Sequence, residues 1–308
     1  MDKFRCKICR QYSHGEIFEV KEMMFGSGEV FQYTACKKCE TIQLITPPED
    51  MSYYYPDEYY AYTPISLSTF QVHWLKTLRF ELFIRWGLDF LKPIYADWLK
   101  HLKVNKADKI ADIGCGNGQL LYELYASGFR FLEGFDPFLK ETMIINKCMV
   151  LHKKSLAEIH GQFHVIMLHH AFEHMENPAE SFSQISDLLY PGGKLLIRIP
   201  VSDGLAWEIY RENWVQLDAP RHHFIPSKKA MEILADQTGL EIYRIEWDSN
   251  AFQFWASELY AKGIPFYGET SRKLISKEDF IRFKKKSLQL NKEGKGDQAA
   301  FYFRKPLN

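Results

Sequence analysis

The stretch KIADIGCGNGQ, residues 109–119, joins a short apolar run directly to three closely spaced glycines. The run Lys109–Ile113 predicts a buried β-strand, and residues 119–127 predict a helix that ends at Gly128. In such a unit the small residues let the backbone approach a ligand, and the helix N-terminus presents unpaired N–H groups. The stretch therefore predicts a nucleotide-binding site in an α/β sheet.

Short apolar strands alternate with helical stretches through residues 105–200. Strands are predicted at residues 131–135, 150–152, 163–168 and 194–199, and a helix over residues 179–189. This alternation is typical of a doubly wound, mainly parallel sheet, whose ligands lie at the carboxyl ends of the strands. Asp136 ends the second strand, where a carboxylate accepts charge-assisted hydrogen bonds from ribose hydroxyls.

The third glycine distinguishes two kinds of nucleotide site. Dinucleotide folds use G-x-G-x-x-G, whereas this chain has Asp112 and then Gly114, Gly116 and Gly118. The shorter pattern resembles the first motif of class I S-adenosylmethionine-dependent methyltransferases. Residues 155–156, 168–178 and 191–197 resemble later motifs of the same superfamily in the right order. The resemblance covers about residues 105–245 and implies a Rossmann-like, seven-stranded sheet whose last strand is antiparallel.

The same resemblance implies S-adenosylmethionine as cofactor. Its contacts are expected from the glycine loop, the acid of the second strand, the turn after the third strand and the end of the fourth. The implied residues are Asp112, Gly114, Cys115, Gly116, Asn117, Gly118, Asp136, Pro137, Ser155, Leu156 and His169. Because the sulfonium itself supplies the reactivity, such an enzyme mainly holds the acceptor within about 3–3.5 Å of the methyl group.

Two cysteine pairs lie in the first 46 residues, as Cys6-x-x-Cys9 and Cys36-x-x-Cys39. Pairs at this spacing supply thiolates to tetrahedral zinc, and apolar runs between them predict a β-hairpin. We therefore predict a zinc ribbon in residues 1–46. A site with four cysteine ligands is closed, so the Zn²⁺ is expected to be structural. Disulfides, free thiols and replacement of one ligand by His14 are the alternatives.

Residues 47–104 form a connector between the ribbon and the methyltransferase domain, which is predicted over residues 105–308. The stretch Tyr53–Tyr60, together with the ribbon, resembles methyltransferases of bacterial surface-polysaccharide and deoxysugar biosynthesis. Tyrosine rings stack on sugar faces, although a linker that packs its rings on the core is the alternative.

A second feature of the connector is a helical pattern over residues 71–91. Its apolar positions form one face, which we expect to cover the active site: Leu75, Leu78, Leu82, Trp86 and Phe90. Basic residues flank this face, so peripheral contact with a membrane surface is the alternative.

The segment after the fifth strand contains Asp218-Ala219-Pro220-Arg221-His222. It resembles an element of the glycan-associated branch, whose C-methyltransferases place a catalytic histidine in this loop. The resemblance implies His222 as general base, because a histidine with an ordinary pKa of about 6.5 can take the proton. We take His174 and Glu173 as the next candidates for this role. That branch usually has Glu before the histidine, whereas this chain has Arg221. A structural loop histidine is the alternative.

The chain has 308 residues, with 39 basic and 39 acidic side chains and a formal net charge of zero. Proteins that cover phosphates are usually basic, so we expect nucleic acid to be an unlikely partner. The resemblance to the glycan-associated branch implies a small-molecule acceptor, such as a nucleotide sugar or glycan in surface-polysaccharide biosynthesis. Without a membrane span or signal peptide, a cytoplasmic enzyme is expected. An RNA methyltransferase, a quinone-type methyltransferase and a degenerate domain whose ribbon binds a partner are the rivals.

Overall fold

The computed structural model describes residues 4–55, 65–266 and 269–307. Residues 56–64, which include the second half of the tyrosine-rich stretch Tyr53–Tyr60, lie outside the described residues. The strands in chain order are β1 (Phe4–Arg5), β2 (Tyr12–Ser13), β3 (Ile17–Lys21), β4 (Val30–Ala35), β5 (Ile42–Leu44), β6 (Lys109–Ile113), β7 (Phe131–Phe135), β8 (Met143–Asn146), β9 (Met149–His152), β10 (Phe163–His169), β11 (Leu189–Pro200), β12 (Phe224–Ile225), β13 (Glu241–Trp247) and β14 (Gln298–Arg304).

Nine α-helices lie in the described part of the chain. They are α1 (Phe70–Trp86), α2 (Ala96–Leu102), α3 (Gln119–Ala126), α4 (Pro178–Asp187), α5 (Leu205–Tyr210), α6 (Lys228–Thr238), α7 (Phe252–Ala261), α8 (Glu269–Arg272) and α9 (Lys277–Glu293). In the described part of the chain no helix is both long and apolar enough to cross a membrane.

The central sheet has the order β13-β14-β11-β10-β6-β7-β9-β8. Its middle strands, from β11 through β9, pair in parallel, and β14 pairs antiparallel with both β11 and β13. This arrangement confirms the Rossmann-like methyltransferase fold with an antiparallel last strand. The carboxyl ends of β6, β7 and β10 lie side by side, which places the glycine loop beside Asp136 and His169.

The sheet has eight strands rather than seven within the described ranges. The additional strand is β8, which pairs antiparallel with β9 at the sheet edge. Ile144, near its middle, is largely exposed. A short edge strand with an exposed apolar residue lacks the buried run or strict alternation that sequence analysis relies on, so it was not predicted.

The N-terminal region forms a second sheet with the order β12-β5-β4-β3. The predicted hairpin is present as β3 and β4, which pair from Ile17–Thr34 to Lys21–Val30. The edge strand β12 lies about 180 residues after β5 in the chain and directly follows His222 and His223. The N-terminal sheet therefore holds the histidine segment by backbone hydrogen bonds.

Helix α1 presents the opposite face to the one that the sequence predicted. Its buried side chains are Phe80 and Phe83, which pack in the core with α2 and α3. The predicted apolar face points outward instead, with Leu75 at 55% and Trp86 at 73% exposure. Apolar residues occur on both sides of this helix, so their spacing could not identify the packed face. The helix contacts α3, for example through Lys76 and Glu123.

Candidate active site

A cavity of about 370 Å³ opens where β6, β7 and β10 end, within the usual size range of small-molecule sites. All the predicted cofactor residues except Gly118 line it. His174 lines it as well, together with Tyr55, which belongs to the tyrosine-rich stretch, and Phe138, which sequence analysis did not single out. The rings of Tyr55 and Phe138 are stacked, with centroids 5.2 Å apart.

The glycine loop has the backbone geometry that its residues allow. Gly114 and Gly118 have φ values of +76° and +79°, in the left-handed region where a Cβ is strained. A Cβ on Gly114 would lie 2.3 Å from the Cβ of Ala171, and one on Gly118 would lie 2.6 Å from the side chain of Leu151. Gly118 therefore shapes the loop and the start of α3 without facing the cavity.

Two carboxylates stand behind the loop. Asp136 accepts hydrogen bonds from the Gly116 N–H at 3.0 Å and the Phe138 N–H at 2.9 Å, and burial raises its pKa. Asp112 is buried, and its Oδ1 has no hydrogen-bond partner among the described residues. Burial and the negative charge of Asp136 raise the pKa of Asp112 to about 8.

His169 ends β10 and faces the same cavity. Neither ring nitrogen has a hydrogen-bond partner in the described ranges, and the ring packs 4.4 Å from that of Trp98. Burial, assisted by Arg198, lowers the pKa of His169 to about 3, so the imidazole is neutral. Unpartnered polar atoms on Asp112 and His169, beside a glycine loop that lines the same cavity, fit a polar ligand such as S-adenosylmethionine.

The other side of the cavity carries the three predicted catalytic residues. His174 lines the cavity, and His222 lies behind it with ring centroids 4.8 Å apart. Glu173 is fully buried, with its Oε1 3.9 Å from the His222 Nε2. Burial, together with His174, lowers the pKa of His222 to about 4, below the ordinary value expected from the sequence. The three residues are brought together, although only His174 reaches the cavity surface.

Arg221, which departs from the glycan-associated pattern, has a structural partner far away in the sequence. Its guanidinium is fully buried and pairs with Asp218 at 2.7 Å and with Glu22 of the N-terminal region at 2.9 Å. The Tyr33 hydroxyl donates to the His222 carbonyl at 2.9 Å. No local motif could have indicated Glu22 or Tyr33, because their partners lie almost 200 residues further along the chain.

The four N-terminal cysteines form one buried cluster. Cys6 Sγ lies 3.5 Å from Cys39 Sγ, Cys9 Sγ lies 3.7 Å from Cys36 Sγ, and all four sulfurs lie within 4.8 Å of one another. Thiolates bonded tetrahedrally to zinc at about 2.3 Å are about 3.8 Å apart, so the cluster fits Zn²⁺. The cysteines are free rather than disulfide-bonded, and His14 is not part of the cluster.

The chain is similar to curated proteins over half of its length. A tRNA U34 carboxymethyltransferase from Vibrio vulnificus is 27% identical over 169 residues, which cover 49% of this chain and 51% of the relative. One from Pseudoalteromonas translucida is 26% identical over 182 residues, which cover 52% and 54%. The chain thus spans about half the length of the curated relatives it matches.

Solved structures of similar fold include a cyclopropane synthase from Mycobacterium tuberculosis, with 18% identity and a TM-score of 0.45 over 67% of this chain and 81% of that one. A putative sarcosine dimethylglycine methyltransferase from Galdieria sulphuraria has 17% identity and a TM-score of 0.44 over 79% and 93%.

The tRNA-modifying relatives overturn one expectation from the sequence. The prediction that nucleic acid is an unlikely partner is wrong, because proteins named for action on tRNA are among the curated proteins this chain resembles. A formal net charge of zero describes the whole surface on average, and it does not exclude positive charge around one site.

The sequence model of a family described as "Methyltransferase domain" matches residues 89–245, which is about half of the chain. The matched range contains the glycine loop, Asp136 and the three residues on the far side of the cavity. The chain therefore belongs to this methyltransferase-domain family, and residues 89–245 lie within a class I S-adenosylmethionine-dependent methyltransferase domain.

Proposed function

We propose that the protein transfers the methyl group of S-adenosylmethionine to a nucleic acid, with tRNA as the first candidate. The likeness to tRNA U34 carboxymethyltransferases carries this proposal. When bound, the cofactor supplies an electrophilic methyl group on a sulfonium. Asp112, the glycine loop, Asp136 and His169 would hold it on one side of the cavity, and Ser155 and Leu156 would border its far end.

Two surface features beside the cavity support a nucleic-acid acceptor. The stacked rings of Tyr55 and Phe138 at the cavity wall offer a flat apolar surface of the kind on which a displaced base stacks. Lys154 lines the cavity, and Lys153 and Lys140 lie next to it, joined by a hydrogen bond from the Lys153 Nζ to the Lys140 carbonyl. In the described part of the chain, the lysine ion pairs are formed by other lysines, so the charge of these three is available to phosphate.

The remaining assignments belong to the same proposal. Glu173, His174 and His222 form the group that prepares the acceptor atom, since they lie across the cavity from the cofactor side. Cys6, Cys9, Cys36 and Cys39 hold a structural Zn²⁺ in a ribbon over residues 1–46. A connector follows over residues 47–104, and the methyltransferase domain comprises residues 105–308.

The test is transfer of labelled methyl from S-adenosylmethionine to total tRNA, with nucleotide sugars and ribonuclease-treated tRNA in parallel. We expect label in intact tRNA and an apparent KM that rises with salt, because phosphate contacts release counterions. Lys153→Glu together with Lys154→Glu should raise that KM. Lys285→Glu, on α9 outside the cavity lining, is the matched control. Label in nucleotide sugars but not in tRNA would refute the nucleic-acid acceptor.

A further inference from the structure

The residues around Glu173 do not provide the hydrogen bonds and positive charge that a buried carboxylate requires. Its side chain is fully buried, and neither carboxylate oxygen has a hydrogen-bond partner in the described residues. Among the described residues, the basic groups within 4.0 Å are the His170 Nδ1 at 3.4 Å and the His222 Nε2 at 3.9 Å, both long for hydrogen bonds. A buried carboxylate without donors is costly, so a compensating positive charge is expected at this point.

The protein's own cations do not supply that charge. Arg221 is the buried arginine of this region, and it is already shared by Asp218 and Glu22. Within residues 4–55, 65–266 and 269–307, the ion-pair partners of Glu173 are histidines, and no lysine or arginine pairs with it. The region thus has two fully buried carboxylates, Glu173 and Glu22, the 10% exposed Asp218 and one arginine, which leaves an excess of negative charge.

The two histidines beside Glu173 are oriented as metal ligands usually are. The Nδ1 of His222 donates to the Gln216 carbonyl at 2.7 Å, and the Nδ1 of His174 donates to the Arg221 carbonyl at 2.9 Å. A carbonyl only accepts, so each Nδ1 carries the proton and each Nε2 keeps its lone pair. Metal-binding histidines typically donate their second ring N–H to such a carbonyl, which fixes the tautomer.

We propose that Glu173, His174 and His222 bind a divalent first-row transition-metal ion, separate from the ribbon zinc. One ligand atom from each residue lies within 4.8 Å of the other two. The 3.9 Å between the Glu173 Oε1 and the His222 Nε2 is spanned by an ion bonded to both at about 2.0–2.2 Å. Imidazole with carboxylate suits zinc, iron and cobalt.

The ion would have room for a further ligand from the cavity. Three protein ligands leave coordination positions open, as catalytic metal sites do, and His174 lies on the cavity surface. An oxygen or nitrogen atom of the acceptor would take the open position. That part of the inference rests on the proposed function. The metal site itself is testable without any acceptor.

The experiment uses full-length protein whose ribbon site is filled with zinc and from which weakly held metal has been removed with a chelator. Cobalt(II) is then titrated, and metal content and the visible absorption spectrum are recorded. We expect one cobalt bound per chain beside one zinc, with d–d bands but without thiolate-to-cobalt charge transfer, because the ligands are nitrogen and oxygen. Cobalt that binds only with thiolate charge transfer has exchanged into the ribbon, and overturns the proposal.

Three variants complete the test. Glu173→Gln preserves the side-chain volume, and it and His222→Gln should each weaken cobalt binding by at least roughly 10–100-fold. His223→Ala removes the neighbouring buried imidazole, which is not part of the cluster, and should leave cobalt affinity unchanged. Circular dichroism checks that each variant is folded. Equal cobalt affinity in wild type, Glu173→Gln and His222→Gln refutes the site, whether or not tRNA accepts methyl groups.

Discussion

The two sides of the cavity are built in different ways. The side proposed to hold the cofactor, here called the cofactor side, comes from a continuous strand, loop and helix, residues 109–126, with Asp136 from the neighbouring strand. The side proposed to hold the acceptor, the acceptor side, joins residues 55, 173–174 and 222, and the N-terminal sheet holds the last of these through β12. A site shaped by local backbone turns depends little on distant contacts, whereas a site assembled from separate segments depends on all of them. A substitution that disrupts one side of the cavity should therefore leave the other side intact.

The largest effect is expected from Cys36→Ser. It should release the ribbon metal and unfold the N-terminal sheet, because metal binding in such modules supplies about 10–16 kcal/mol that is also folding free energy. β12 then loses its partner β5, so the segment around His222 should become accessible. Elemental analysis measures the zinc, hydrogen exchange follows residues 218–225, and calorimetry should show nearly unchanged cofactor affinity.

Cys148→Ser is the matched control, since Cys148 lies outside the cysteine cluster. It should keep the zinc and the protection of the histidine segment. Loss of cofactor affinity in Cys36→Ser, in step with loss of zinc, would contradict the separation of the two sides.

The next effect concerns the ion pairs between the N-terminal sheet and the histidine segment. Arg221→Met leaves the carboxylates of Glu22 and Asp218 buried without their partner, and loss of one member of a buried pair costs about 3–5 kcal/mol. We expect the free energy of unfolding, measured in urea, to fall by this amount, while the cofactor affinity of the folded protein stays unchanged.

Arg304→Met provides the comparison, because Arg304 forms an exposed pair with Glu241. Solvent screens an exposed pair and leaves it little stabilising effect, so this variant should be almost as stable as wild type. A double-mutant cycle of Arg221→Met with Glu22→Gln should show coupling. Additive losses in that cycle would mean that Glu22 does not hold the histidine segment.

Asp136→Ala probes the opposite side of the cavity. The variant loses the carboxylate that accepts the Gly116 and Phe138 N–H groups, and with it the expected bonds to the cofactor ribose. S-adenosylmethionine should bind about 1.5–3 kcal/mol more weakly, the scale of hydrogen bonds to a charged group. Zinc content and hydrogen exchange of residues 218–225 should match wild type. Glu141→Ala, an exposed acid in the following loop, should bind normally; unchanged affinity in Asp136→Ala would remove this residue from the site.

The same contrast explains what could be predicted from the sequence. The glycine spacing and Asp136 indicated the proposed cofactor side because turns and strand ends leave a local pattern, and the cysteine spacing did the same for the N-terminal cysteine cluster. The pairing of Arg221 with Glu22 could not be predicted, because no local rule joins residues so far apart. The packed face of helix α1 was predicted wrongly for another reason. Apolar residues lie on both faces of this helix, so their spacing could not show that Phe80 and Phe83 are the buried ones.

The smallest expected effect is that of Asp112→Asn, which tests a buried side chain on the cofactor side. In the folded protein the pKa of Asp112 is raised to about 8, chiefly by burial, above its ordinary value of 3.8. The folded state therefore binds a proton that the unfolded state releases between these values, and wild-type stability falls as pH rises towards and through 8. Asparagine resembles the protonated form and lacks this dependence.

At pH 8 the Asp112→Asn variant should thus melt above wild type, by about 2–4 °C if the gain is about 1 kcal/mol, and the difference should shrink as pH is lowered. Scanning calorimetry from pH 5 to pH 8 measures it, with exposed Asp236→Asn as the control that should show no such trend. The same variant should bind S-adenosylmethionine more weakly, because Asp112 lines the cavity and its Oδ1 has no partner among the described residues. A variant that gains no stability at high pH would show that Asp112 is charged and compensated in the free protein, and the cofactor side would then need a cation of its own.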